Sequence, residues 1–104
     1  MADPLPTRCS PSALKLLADY WVLRIIDEIH RADDTLRFSA LQRALGGASP
    51  ATLSNRLRCL EDEGLVRRDE GTEGKSSVSY SLSDRGRRVL PVIHAISDFA
   101  ETTT

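Results

Sequence analysis

The most informative run of side chains begins at Ser49-Pro50 and continues through Ala51, Thr52, Asn55 and Arg56. Serine is a preferred helix N-cap, and proline fits the first helical position because its missing N–H costs nothing there. The remaining free N–H groups of such a helix start form a ready site for a backbone phosphate. Asparagine can bond adenine at two points and arginine can do the same with guanine, while Thr52 has the chemistry to touch a thymine methyl or a phosphate. With Leu53, Leu57 and Leu60 forming the buried stripe, Ala51, Asn55, Arg58 and Asp62 fall on the opposite face at 100° per residue. Thr52 and Cys59 lie on one flank, and Arg56 lies between that flank and the core side. The exposed N-terminal half is thus small, polar and free of acid, as a helix entering the major groove by its tip requires.

Glu61-Asp62-Glu63 occupies the far end of the same helix, where DNA would repel it, so the helix must approach tip first. Downstream, Arg67, Arg68 and Lys75 are spaced to reach flanking phosphates or a minor groove. Upstream, Ser39 opens the preceding helix and joins the same candidate surface. A solvated surface residue is the plain alternative for any one of these side chains. The group together with its Ser-Pro start is better explained by contact with DNA.

Other constellations carry less chemistry. His30 and His94 stand far apart, each without a neighbouring second ligand, so a metal site is not expected. Asp33-Asp34 and Asp69-Glu70 fall in predicted turns or at a strand end beside basic residues and read as solvated charge. The sequence has no serine elbow and no P-loop, and no catalytic or cofactor-binding constellation emerges. Cys9 and Cys59, fifty positions apart, make neither a disulfide scaffold nor a zinc site. Cys59 reads as a packing cysteine. Arg8 and a nearby helix start favour thiolate at Cys9, set against the alternative of an unreactive N-terminal cysteine.

The elements that must position these residues follow from apolar spacing. Residues 1–11 read as an irregular arm. Leu14, Leu17, Trp21, Val22, Ile25, Ile26 and Ile29 recur at helical spacing, and Asp19 is placed to cap a second helix, giving two, about 12–18 and 20–31. Residues 36–38 read as extended. Ser39 then begins a helix with Leu41, Ala44 and Leu45 inward, which Gly46-Gly47 stops. The Ser49 helix follows and ends at Gly64. Residues 65–70 and 77–82 read as strands, the second alternating Val78, Tyr80 and Leu82 against serines, with a polar hairpin loop between them. Ser83 caps a last helix carrying Val89, Leu90, Val92, Ile93, Ile96 and Phe99, and 101–104 reads as a frayed tail. Helix-turn-helix followed at once by a hairpin is the order of a winged helix: mainly α, with a small antiparallel wing of two or three strands.

Size and composition agree with one domain over 1–104. The chain has 104 residues, 40% hydrophobic and 28% charged, within the globular range. No apolar stretch approaches a membrane span, and the N-terminus lacks the apolar block of a secretory signal. A soluble, cytoplasmic protein is expected. The net charge of −1 conceals an uneven distribution, since residues 37–88 hold 10 basic against 7 acidic side chains. A ligand responds to that local field rather than to the total.

Phe38-Ser39-Ala40-Leu41, Leu45-Gly46-Gly47-Ala48-Ser49 and Leu60-Glu61-Asp62-Glu63-Gly64-Leu65-Val66 with Arg68 resemble HxlR-type transcriptional regulators. So do Tyr80-Ser81-Leu82-Ser83 with Gly86, Leu90-Pro91-Val92, and the Cys9-to-Trp21 stretch, although Ala18-Asp19-Tyr20 replaces a Gly-Lys type sequence before the tryptophan. The resemblance spans about 9–100. It implies a cytoplasmic homodimer that binds double-stranded DNA at an inverted repeat, with the terminal helices in the dimer contact. Leu14, Leu17, Trp21, Ile25, Leu90, Ile93 and Phe99 are then the expected core and interface residues. It further implies that Cys9 corresponds to the cysteine with which some members sense oxidants or electrophiles. The alternative reading is a winged helix that has dropped DNA and holds a protein partner.

Overall fold

The structure, a computed structural model, describes residues 13–71 and 78–102 of the chain. Helix α1 (Ala13–Leu17) is separated from α2 (Tyr20–Arg31) by Ala18-Asp19. Asp19 is extended and its Oδ1 accepts the Val22 N–H at 3.1 Å, which satisfies one orphan donor of the new helix. The two-helix reading of this segment therefore holds. At the far end, Asp33 and Asp34 take left-handed φ values of 65° and 70°, a conformation that aspartate tolerates better than most residues. The Asp34 N–H donates to the Ile29 carbonyl at 2.9 Å.

Strand β1 (Thr35–Arg37) leads directly into α3 (Phe38–Leu45). Phe38, expected to be extended, is already helical. Its N–H, an orphan of the helix start, donates to the Val78 carbonyl at 3.2 Å. Ser39 consequently stands inside the first turn instead of capping it, and Arg37 is the N-cap, without a side-chain bond. Helix α4 (Pro50–Asp62) begins at the expected Ser49 cap. It ends with Gly64 at φ 77° while the Leu65 N–H reaches back to the Leu60 carbonyl at 2.8 Å, the bond pattern of a helix closed by a left-handed residue.

Strands β2 (Val66–Asp69) and β3 (Ser79–Leu82) pair antiparallel, with Val66 opposite Leu82 and Arg68 opposite Tyr80. Strand β1 joins the other edge of β3, Leu36 opposite Tyr80, so the sheet order is β1-β3-β2. The expected single last helix is two, α5 (Asp84–Arg87) and α6 (Leu90–Thr102). Ser83 caps α5 as anticipated, accepting the Gly86 N–H at 3.0 Å. The break has a covalent cause. Pro91 has no N–H to give the Arg87 carbonyl, and its ring crowds that position.

Val22, Ile25, Ile26 and Ile29 of α2 form the centre of the core, with Leu41 of α3, Leu53, Leu57 and Leu60 of α4, and Tyr80 and Leu82 of β3 around them. Leu16 of α1 is buried, whereas Leu14 faces solvent. Among the described residues no helix is long and apolar enough to cross a membrane.

Candidate nucleic-acid interface

Helix α4 is anchored by Leu53, Leu57 and Leu60, and that anchoring turns its other side outward. Ala51, Asn55 and Arg58 are exposed and Thr52 is half-buried, so the tip expected to meet a ligand is accessible. Ser49 Oγ accepts the Thr52 N–H at 3.1 Å and donates to Thr52 Oγ1 at 3.0 Å. The cap thereby fixes both the first turn and the Thr52 rotamer. The first turn contains no acid, which leaves the positive end of the helix dipole uncompensated.

Arg56 is less free than its sequence position implied. Its Nε donates to Asp19 Oδ2 at 3.1 Å, and its Nη1 donates to Asn55 Oδ1 at 3.2 Å. Asp19 therefore caps α2 with one oxygen and holds an arginine of α4 with the other. Nothing in the local pattern around Arg56 identified this partner, although Asp19 itself was legible as a cap.

At the opposite end of α4, Glu61 and Asp62 are exposed while Glu63 is covered by Arg85 of α5. The Arg85 guanidinium donates from Nε to the Glu63 carbonyl at 3.1 Å and from Nη2 to Glu63 Oε1 at 3.2 Å. One arginine thus satisfies a terminal carbonyl and neutralises part of the acidic run. Sequence reasoning missed Arg85, although a base near the end of a helix is a signal only once the fold brings it there.

On the wing, Arg67 and Arg68 are exposed on β2. Arg68 donates to Glu70, and that hydrogen bond, with a second that it donates to Tyr80, raises its pKa above the ordinary value. Arg58 and Arg67 have no ion pair among the described residues and remain open to an external anion. Ser39 is exposed on α3, the helix preceding α4. Lys75 and Cys9 lie outside the described residues. Cys59 corrects an expectation: it is buried, 6% exposed, but its sulfur is disulfide-bonded and is not a packing thiol.

A second surface lies away from the α4 tip. Val92, Ile96 and Phe99 form an exposed apolar row on α6, and Leu14 and Tyr20 are also exposed. Leu14 and Phe99, both expected in an interface, are among the most exposed large apolar residues at 79% and 74%. Leu17 and Trp21 are partly buried against the core, and Leu90 and Ile93 are buried. Ile25 has no exposed surface and therefore nothing to offer a second subunit, so it belongs to the core. Among the described residues no three histidines, cysteines or carboxylates converge as a metal site would require.

A helix-turn-helix with an exposed second helix, followed by a β2–β3 hairpin whose inner strand also pairs with β1, defines a winged-helix protein of the transcriptional-regulator class. More narrowly, the chain belongs to the HxlR-like helix-turn-helix family, whose sequence model matches residues 16–104. It is 36% identical over 88 residues to YvaP of Bacillus subtilis (strain 168), an uncharacterised HTH-type transcriptional regulator, covering 85% of this chain and 80% of that one. It is similar in structure to a MarR-family transcriptional regulator from Porphyromonas gingivalis W83, with a TM-score of 0.77 and 28% identity over 93% of this chain and 99% of that one. The oxidised form of the redox regulator HypR is also similar, with a TM-score of 0.75 and 25% identity over 88% and 92% of the two chains.

Proposed function

We propose that the protein is a non-enzymatic transcriptional regulator that binds double-stranded DNA as a cytoplasmic homodimer, each subunit placing the tip of α4 in the major groove of one half of an inverted repeat. The observation that carries this reading is the tip itself. Ser49, Ala51, Thr52 and Asn55 form an acid-free, solvent-facing surface at a capped helix N-terminus, which suits base edges at its centre and a phosphate at its start. Arg56 and Asn55 supply base contacts. Ser39, Arg58, Arg67 and Lys75 supply phosphate contacts that set register. The apolar row of α6 with Leu14 supplies the dimer surface, and a stable pairing there needs more than about 1,000 Å² of buried area.

The disulfide-bonded state of Cys59 on α4 supports a redox-responsive version of this reading, in which Cys9 takes part in sensing. Operator affinity measured with and without a dithiol reductant tests it, and equal affinities would refute the redox component alone.

The main test is selection of bound sequences from random duplex DNA, followed by titration at several salt concentrations. An inverted repeat is expected, with log affinity falling by about 0.9 per phosphate contact for each unit of log salt. The exposed Glu61 and Asp62 favour one rival, a protein-binding winged helix. Absence of any selected sequence, or DNA binding indifferent to salt, supports that rival.

A further inference from the structure

We infer that Asp19 is a specificity-determining positioning residue: from the start of α2 it holds Arg56, and through Arg56 it holds Asn55, as a set of hydrogen-bond donors that selects guanine. The inference rests on the DNA-binding reading above and concerns how that surface chooses its base.

The donors and acceptors at the α4 tip decide which base fits. Arginine has five N–H donors and no acceptor. Asp19 takes the Nε–H of Arg56 at 3.1 Å, and Asn55 Oδ1 takes one Nη1–H at 3.2 Å. The second Nη1–H and both hydrogens of Nη2 are left for a ligand, enough for two acceptors. Because arginine only donates, its partner atom on Asn55 must be the oxygen, which fixes the amide orientation and leaves Nδ2 as a donor. Reading adenine would require that same Oδ1 to accept from the base amino group. The Arg56–Asn55 pair is therefore biased towards donation, and the major-groove edge with two adjacent acceptors is guanine, through N7 and O6.

Asp19 is suited to this task by its own constraints. Its Oδ1 is committed to the Val22 N–H, so the carboxylate cannot rotate without uncapping α2. Both partners of the pair are less than one third exposed, at 31% for Arg56 and 27% for Asp19, which limits competition from water. The helix that Asp19 caps, α2, holds Ile25, Ile26 and Ile29 fully buried in the core. The arginine is thus referenced to the rigid centre of the fold across a separation of 37 residues, instead of relying on its own flexible stem.

The test uses the full-length protein and the duplex recovered by selection. Asp19→Asn keeps a cap of equal quality but removes the charge that holds Nε. Its melting temperature is expected to match that of the native protein. Its ratio of affinity for the selected duplex over random duplex is expected to fall about tenfold, the lower part of the range for a lost bidentate base contact, and guanine preference at one position per half-site is expected to relax. In an Arg56→Ala background the same substitution is expected to leave the ratio unchanged, since Asp19 acts through Arg56. An unchanged or improved ratio in Asp19→Asn overturns the inference while leaving DNA binding intact. So does a steeper salt slope with no loss of selectivity, because Asp19 would then be withholding Arg56 from a phosphate. If the native protein binds no duplex in a salt-dependent way, the DNA-binding reading fails first and this inference falls with it.

Discussion

Gly86 is where the structure makes its sharpest demand on the sequence, and Gly86→Ala is the substitution whose cost can be worked out most directly. A Cβ at this position would fall closer than 3.0 Å to the Leu65 carbonyl oxygen, with the Leu65 carbonyl carbon at 3.1 Å and Leu82 Cδ2 at 3.4 Å. The obstacle is backbone, which cannot rotate away as a side chain can. Restoring the roughly 3.3 Å at which carbon and carbonyl oxygen rest means moving α5 on the order of 1 Å from the turn that ends α4. That same carbonyl accepts the Ser83 N–H at 3.0 Å, and the neighbouring Gly64 carbonyl accepts the Ser83 hydroxyl at 2.6 Å. Overpacking of this kind costs about 1–3 kcal/mol, and weakening one or two of these bonds adds about 1 kcal/mol. Alanine's better helix propensity returns at most about 1 kcal/mol.

With that full return, a net loss of about 1–3 kcal/mol is expected, a large fraction of the roughly 5–15 kcal/mol by which small domains are stable. Urea unfolding measures it as a lower midpoint at constant slope, with a fall in melting temperature of about 4–8 °C for each kcal/mol lost. Gly47→Ala is the control. There the new Cβ meets only Trp21 Cη2 at 3.6 Å, an ordinary contact, and stability is expected to change by less than about 1 kcal/mol. A Gly86→Ala protein as stable as the native one, or a Gly47→Ala protein equally damaged, would refute the reasoning from backbone approach.

Three further outcomes are expected. Ser49→Ala should lower stability by about 0.5–2 kcal/mol through loss of the cap, whereas Ser49→Asp keeps the cap and places a negative charge where a phosphate must sit; melting curves with DNA titrations separate the two, and undiminished DNA affinity in Ser49→Asp would count against a phosphate at the helix start. Arg87, whose Nε lies 2.9 Å from Asp34, and then His30 hold the Asp34 carboxyl below its ordinary value of 3.8. A depressed folded pKa gives stabilisation that is complete above the unfolded value and lost as pH falls through the folded one, so unfolding free energy should decline on acidification below about pH 4, and less so in Asp34→Asn, with identical acid profiles as the contrary result. Phe99→Asp should reduce the solution mass measured by ultracentrifugation from two chains to one and weaken operator binding together with it; an unchanged mass would remove α6 from the dimer contact.

Most of the elements were legible because their signals are local. Ser49-Pro50 and Gly64 bound α4 through hydrogen bonds that reach no further than five residues, and Ser83 caps α5 by the same means. The split between α5 and α6 was equally local in cause, since Pro91 carries it, but the apolar spacing from Val89 to Phe99 runs through the break and hides it. The apolar spacing of residues 14–29 marked a buried stripe yet did not say that Leu16 faces inward and Leu14 outward, because one turn of helix with leucines at 14, 16 and 17 has more than one way to present them. Cys59 read as packing because a disulfide depends on a second sulfur brought close by the fold.

The surface chemistry of the α4 tip was settled by order of residues alone: a capped, acid-free helix start with its leucines on one side must show Ala51, Thr52 and Asn55 on the other. Packing decided which charges meet. Asp19 and Arg56 are separated by 37 residues, Glu63 and Arg85 by 22, and Asp34 and Arg87 by 53. Periodicity and capping act over a single helical turn, so they can orient a side chain but cannot choose its partner. That choice belongs to the burial of α2 against α4 and of α5 against the turn after α4, which brings distant charges to about 3 Å and makes an arginine that looks free in the sequence a tethered one in the fold.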